Sequence, residues 1–337
     1  MPSLKNESAE ALVRPDGCRA VAHSNIALAK YWGKRDVERN LPDVPSLSLT
    51  LAALSTTTSV RFDPDAASDE VALNGAPAEA AAAAKVIALL DRVRAEAGLR
   101  WRAHVASSND FPTASGLASS ASGFAALAVA TLGAAGLSWP APAVSALARA
   151  SSVSAARSIF GGFVALEAGA AEATPVAADV AAASLRMVIA VTQTTPKKVG
   201  STQGMLGTQR TSPYYGAWRG AAPGIYAELR DALARGDFER VGEAMEHSTL
   251  CMHATMLAAA PALIYWNPQT LAAMSCVREL RAGGTFAYFT MDAGPHVKVL
   301  TLANQADRVR SALETLPGVH QVMVSASGGA ARMVEGA

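Results

Sequence analysis

Cysteine is scarce: Cys18, Cys251 and Cys276 form an odd set without CxxC spacing. That argues against a disulfide framework or a zinc knuckle and fits reduced thiols in a cytoplasmic protein. Charge of one sign is lacking too, since Lys plus Arg (29) nearly cancel Asp plus Glu (28). A net charge of +1 leaves no broad basic face for nucleic acid, so any cations that matter must be local. The opening residues 1–17, MPSLKNESAEALVRPDG, carry no apolar stretch of signal-peptide length and read as a loose leader. The least polar run, 124–147, is mostly alanine and is broken by Gly133, Gly136, Pro140 and Pro142. It predicts a helix, a turn and a second helix, not a membrane span.

Several catalytic signatures are missing as well. No two glycines stand two apart, which removes GxGxxG, and the lone Gly-Lys pair, Gly33-Lys34, precedes Arg35 where a Walker loop needs Ser or Thr. HExxH, GxSxG and clustered Cys/His ligands are also absent. Dehydrogenase, serine hydrolase and zinc enzyme are therefore poor readings.

What is present is a globular chain of 337 residues, half of them hydrophobic, long enough for two domains. Strand-like stretches fall at 19–23, 47–62, 101–106, 185–191, 285–290 and 321–324, the last expected to be the final strand. Asn74-Gly75 marks a hairpin turn. Helical patterns cover 77–97, 119–132, 143–150, 213–235, 238–259, 268–282 and 303–316, with glycine stops at Gly98, Gly236 and Gly283. Residues 168–184 read as an exposed loop or edge. The mixed order favours α+β over regular βαβα, with domains over 18–190 and 191–337.

The chemistry concentrates in Ser107–Gly123, SSNDFPTASGLASSASG. A loop of small residues running into a helix leaves N–H groups unpaired beside the positive end of the helix dipole, a site suited to phosphate. An ordinary Ser-capped helix is the competing reading. Elsewhere Lys30, Lys34 and Arg35 crowd Tyr31 and Trp32, which suits a polyanion or simply a solvated turn. Arg157 follows three serines and precedes Gly161-Gly162. Lys197, Lys198, Ser201 and Thr202 lie in a stretch read as a loop, and His253 reads as a packed helical histidine. Asp292 stands at the tip of an apolar strand before a Gly-Pro turn, a costly place for a carboxylate without a partner or a task. A Ser-rich loop, scattered cations and one poised carboxylate suit phosphoryl transfer.

NIALAKYWGKRD, FPTASGLASSASGFAALA, AARSIFGGF, STQGM, MHATM followed by YWNP, and AYFTMDAGP resemble the diphosphomevalonate decarboxylases, a branch of the GHMP kinase superfamily. The matches run from about residue 20 to 330. The resemblance implies a two-domain α+β GHMP kinase fold, an N-terminal ATP-binding domain with a ferredoxin-like C-terminal one, and the active site between them. It implies ATP-dependent phosphorylation of the 3-hydroxyl of mevalonate 5-diphosphate, then loss of phosphate and CO2, with Mg2+ accompanying the nucleotide and a homodimer expected. Asp292 matches the carboxylate that orients or deprotonates the hydroxyl, and Arg157 the arginine that holds the substrate carboxylate. Lys30, also a catalytic candidate, matches the diphosphate side together with Tyr31, Trp32 and Lys34. Ser152, Ser154, Ser201, Thr202 and Met205 join them at the substrate. Pro112, Ser115, Gly116, Leu117, Ala118, Ser119, Ser120 and Ser122 match the ATP phosphate loop. Two departures stand out: Ser152-Val153-Ser154 where the family has Ser-Gly-Ser, and Thr202 where some bacterial members carry arginine. Sister activities on mevalonate or its monophosphate remain the alternative within enzymes, and a non-catalytic ligand-binding relative the alternative outside them.

Overall fold

A computed structural model describes residues 12–111, 119–195 and 197–335. The first half of the chain holds β1 (Cys18–Ala29), β2 (Lys34–Asp36), β3 (Leu41–Pro42), β4 (Ser46–Asp63), β5 (Glu70–Leu73), β6 (Ala76–Pro77) and α1 (Ala80–Ala97). β7 (Arg102–Asn109), α2 (Ser119–Ala134), α3 (Ala141–Ser151), α4 (Ala155–Ser158), β8 (Phe163–Leu166) and β9 (Thr174–Val176) follow. The second half holds α5 (Asp179–Ser184), β10 (Leu185–Val191), α6 (Ser201–Thr211), α7 (Tyr215–Arg235), α8 (Phe238–Leu257) and α9 (Pro268–Ala282). It ends in β11 (Ala287–Thr290), β12 (Val297–Leu302), α10 (Ala306–Glu314), β13 (Gln321–Ser325) and β14 (Arg332–Val334).

The first sheet has the order β14-β1-β4-β7-β5-β6, with β8 pairing β4 and β9 pairing β8. β4 is long enough to serve two neighbours: Ser46–Leu49 pair with β8, and Thr56–Asp63 with β7. β1 shows why this sheet feeds a site. Its first half alternates, with Cys18, Ala20 and Ala22 buried under α1, α2 and α3, while Arg19 is exposed. From Asn25 to Ala29 every residue is buried, because Ile26 and Leu28 join a core shared with β10, α7 and α8. A strand covered on both faces loses its alternation, so only the covered half is uniformly apolar or hydrogen-bonded.

The second sheet is antiparallel in the order β11-β12-β10-β13. Leu185, Met187, Ile189 and Val191 of β10 face the shared core, whereas Val188 and Ala190 face α9 and α10. Period-two geometry sends alternate residues to two apolar layers, which explains the nearly unbroken run LRMVIAV.

Four expectations need correction. β10 sits inside the second sheet, so the division between sheets falls before Leu185 and not at 190. Gln321–Ser325 is not the last strand: β14 returns to the first sheet and pairs Val334 with Arg19. The tail from about residue 327 therefore packs on the first domain, helped by the Leu51–Ser327 bridge. The Ser201 stretch is the start of a helix, and 168–184 supplies the expected edge as β9 but also holds the short α5. Propensity alone underestimates both, since pairing and packing stabilise them. By contrast, the hairpin turn at Asn74-Gly75 forms with both residues at positive φ (50° and 79°), and Gly98 closes α1 in the left-handed conformation (φ 64°).

α8 lies against β11 through Gly242, where an added Cβ would stand 2.3 Å from the Tyr288 ring. Gly242→Ala is expected to destabilise the protein by about 1–3 kcal/mol through overpacking. Thermal unfolding checks this, and an unchanged Tm would show that the ring can move aside.

Candidate active site

β1 leaves the first sheet at Ala29 and delivers Lys30, Tyr31 and Trp32 to a cleft of about 840 Å³ between the two sheets. Gly33 makes the exit possible. Its φ is +114°, and an added Cβ would lie 1.9 Å from the Tyr215 hydroxyl, itself donating to Asp43 at 2.7 Å. Only glycine fits that space. The backbone N–H of Lys30 donates to Ser248 Oγ of α8 at 2.8 Å, fixing the strand end to the second domain.

Asp292 arrives from the other side, two residues beyond the end of β11. Its turn is pinned: Gly294 N–H donates to the Asp292 carbonyl at 2.8 Å, and the Pro295 carbonyl accepts from Thr192 and Thr270 at 2.9 and 2.7 Å. Lys30 Nζ lies 2.6 Å from Asp292 Oδ1, and Lys298 Nζ of β12 lies 3.2 Å from Oδ2. Lys30 and Lys298 are both buried, while about a quarter of the Asp292 side chain, 26%, is open. Burial alone would raise the carboxyl pKa, but the two ammonium groups outweigh it and hold Asp292 well below the usual carboxylate range. Burial in turn lowers Lys30 to about 8, against the pull of Asp292.

Arg157, on α4, is 2% exposed and donates to neutral acceptors, Ser48 Oγ at 3.0 Å and Ser46 Oγ at 2.8 Å. No carboxylate among the described residues pairs with it within 4 Å. Burial lowers its pKa to about 10, yet the guanidinium stays charged at neutral pH. Its Nε also reaches Asn25 Oδ1 at 3.4 Å, and a buried cation held by neutral acceptors is incomplete without an anion. Beside it, the Ser152 and Ser154 hydroxyls approach to 3.2 Å, while Val153 packs among Ala156, Val164, Leu166 and Ala173. The valine that replaces glycine is therefore accommodated, since its side chain anchors the loop from beneath.

The cleft gathers the substrate candidates Lys30, Tyr31, Trp32, Lys34, Ser152, Ser154, Arg157, Ser201, Thr202, Met205 and Asp292. Lys197 also lines it, donating to Ser201 Oγ at 2.8 Å and to the Ala293 carbonyl at 3.0 Å. Of the expected phosphate loop, Ser119 and Ser120 line the cleft at the start of the 16-residue α2. Pro112, Ser115, Gly116, Leu117 and Ala118 lie outside the described residues. Ser122 departs from expectation. It is fully buried, with its hydroxyl 2.9 Å from Ser24 Oγ and 2.6 Å from Thr56 Oγ1, so it ties α2 to the sheet and does not face the cleft.

His253 is packed as expected: 1% exposed, lowered to about 3 chiefly by burial, and 5.0 Å from the Trp266 ring. Sequence reading missed Lys85 and Lys298. Lys85 had no signal, being one charged residue on an Ala-rich helix. Lys298 had one, a lysine inside the apolar strand VKVLTL. No group of three or more His, Cys, Asp or Glu able to hold a metal occurs among the described residues. A divalent ion here would rest on a nucleotide's phosphates and on hydroxyls such as Ser119 and Ser120, which fits a metal carried in with ATP.

Among the described residues, five cations, Lys30, Lys34, Lys85, Arg157 and Lys197, thus face one carboxylate, Asp292, beside a helix N-terminus. Together with the paired α+β units, this defines an enzyme cleft built for phosphoryl transfer to a polyanionic substrate. Comparison with known proteins gives the family. Residues 22–177 match the diphosphomevalonate decarboxylase-like N-terminal domain, and 187–333 match the mevalonate 5-diphosphate decarboxylase C-terminal domain. The chain is similar to a solved structure of MDDEF in complex with MVAPP, AMPPCP and magnesium, at 41% identity and a TM-score of 0.89. That match covers 95% of this chain and 99% of the other. Mevalonate diphosphate decarboxylase from Staphylococcus aureus superposes with a TM-score of 0.90 at 38% identity, covering 94% and 98% of the two chains. A phosphomevalonate decarboxylase from Haloferax volcanii is 35% identical over 87% of this chain and 91% of its own length. The chain belongs to the diphosphomevalonate decarboxylase family.

Two outcomes follow from the site's charges. Arg157→Lys keeps the charge but cannot reproduce a planar two-donor grip, so kcat/KM is expected to fall by about tenfold or more. Unchanged steady-state kinetics would remove the bidentate role. Lys30 and Lys197 both have pKa values lowered to about 8, in each case chiefly by burial. They are charged below that pH and neutral above it, so kcat/KM should decline as pH rises through about 8. A profile flat to pH 9.5 would show that neither ammonium is needed.

Proposed function

We propose that this chain catalyses the ATP-dependent decarboxylation of mevalonate 5-diphosphate. ATP phosphorylates the tertiary 3-hydroxyl, and loss of phosphate and CO2 then yields isopentenyl diphosphate and ADP. The observation that carries the reading is Asp292, clamped between two lysines and open to a cleft that also holds Arg157. A carboxylate held this firmly in its ionised form is a weak base but a good acceptor. It orients the hydroxyl by taking its hydrogen bond, and accepts the proton only as the O–P bond forms and the oxygen becomes acidic. Arg157 holds the substrate carboxylate until the departing phosphate leaves positive charge at C3. The bond between C2 and the carboxylate carbon then breaks, its electron pair forms the double bond to C3, and CO2 leaves.

ATP's phosphates fit the N-terminus of α2 with Ser119 and Ser120, and Mg2+ would neutralise their charge. The substrate's diphosphate fits the Lys30, Tyr31 and Lys34 side with Ser152, Ser154 and Ser201. A second reading, decarboxylation of the monophosphate, draws on the Haloferax volcanii relative. The number of cations lining the cleft favours the diphosphate, whose extra charge they can match. The homodimer and the cytoplasmic location belong to the same reading. They draw on family membership and on cysteines that are all unpaired, and no helix among the described residues is long and apolar enough to cross a membrane.

The decisive experiment incubates the protein with ATP, Mg2+ and either mevalonate 5-diphosphate or its monophosphate, and measures CO2 together with the isoprenoid product. Product from the monophosphate alone would transfer the assignment to the second reading. Asp292→Asn should fold normally and lower kcat by about two to four orders of magnitude. Near-normal turnover in that variant would sink the assignment.

A further inference from the structure

Lys298 is a lysine where the fold calls for a leucine. It is the second residue of β12, paired with Thr290 of β11 and Ile189 of β10. Two residues along, Leu300 shares its face of the strand and packs in the core between the sheets. The residue has 0% exposure and does not line the cleft. Its ion pair among the described residues is with Asp292 Oδ2 at 3.2 Å. Such a pair is a poor device for stability, since a well-packed apolar side chain usually does as well or better there.

Geometry gives it another use. Asp292 lies in the turn that joins β11 to β12 and Lys298 lies on β12, so their pairing is internal to the second domain. Lys30 grips the other carboxylate oxygen from the first domain. With Lys30 alone, the carboxylate would be free to turn about its side-chain bonds and follow the first domain. A second cation from its own hairpin fixes the plane of the carboxylate before substrate enters.

We propose that Lys298 is a positioning residue that acts solely through Asp292, holding the second carboxylate oxygen so that the open edge meets the substrate's reacting hydroxyl. The proposal rests on the reading of Asp292 given above. It predicts a loss of turnover without loss of binding, because Lys298 touches neither substrate pocket. It also predicts that Lys298 has no effect once Asp292 is gone.

The test is a double-mutant cycle on the full chain, with kcat and both KM values measured for ATP and mevalonate 5-diphosphate. Lys298→Met should lower kcat by about ten- to a hundredfold and leave both KM values within about threefold. In an Asp292→Asn background the same change should alter kcat by less than about threefold, since residues acting as a unit are not additive. A wild-type rate for Lys298→Met, a loss confined to KM, or losses that multiply in the double variant would each overturn the proposal. If Lys298→Met does not fold, Lys298→Gln takes its place in the cycle. The double variant removes both partners and leaves no unpaired carboxylate. Failure of the underlying reading gives a different signature, a normal rate for Asp292→Asn itself.

Discussion

One carboxylate between two ammonium groups is the constraint on which the rest of the structure depends. Asp292 is held by Lys30 from the end of β1 and by Lys298 from β12, so both sheets must be complete and correctly placed before the three charges meet. An ionised group removed from water needs close opposite charge or well-placed hydrogen bonds to offset its lost hydration. The shared core of Ile26, Leu28, Leu47, Leu49, Met187, Ile189 and Leu229 supplies the non-polar adhesion that holds the two sheets at that separation. Apolar burial gives the adhesion, and the charged triad sits at its rim where the cleft begins.

A chain of net charge +1 gathers Lys30, Lys34, Lys85, Arg157 and Lys197 at one cleft, where Arg157 donates to hydroxyls and an amide oxygen, and Lys197 to a hydroxyl and a carbonyl. In a partly dehydrated cavity, each such cation attracts phosphate more strongly than it would at the surface. Neutral partners keep these groups placed without cancelling them. Asp292, by contrast, lines the same cleft with two ammonium partners.

Much of this was legible in the order of residues. Asp292 stood out because a carboxylate at the end of AYFTM has no reason to be there unless something meets it. Arg157 and the Lys30–Lys34 cluster were visible as cations among small residues and aromatics, and the long helices and β10 followed from apolar period and glycine stops. Ser122 shows where that reasoning stops. In the string it is one more hydroxyl of a serine-rich loop, yet one helical turn rotates it into the sheet against Ser24 and Thr56. The Ser201 stretch has little apolar period, and it becomes helical through contacts that the local pattern does not record.

By itself the sequence pointed to a class of chemistry, through residue types and their spacing: a Ser-rich loop ahead of a helix, local cations and a poised acid. It determined as well the alternation that makes each strand one-faced or two-faced. Tertiary structure alone decided which charges are neighbours. Lys30 and Asp292 are 262 positions apart and touch at 2.6 Å, and Lys85 reaches the cleft from the N-terminal part of α1. The return of β14 to β1 was decided in the same way, by edge hydrogen bonds left open until the chain closes on itself. Local pattern reports what a residue's immediate backbone needs. Ion pairing and sheet closure depend on distance in space, which only the packed fold sets.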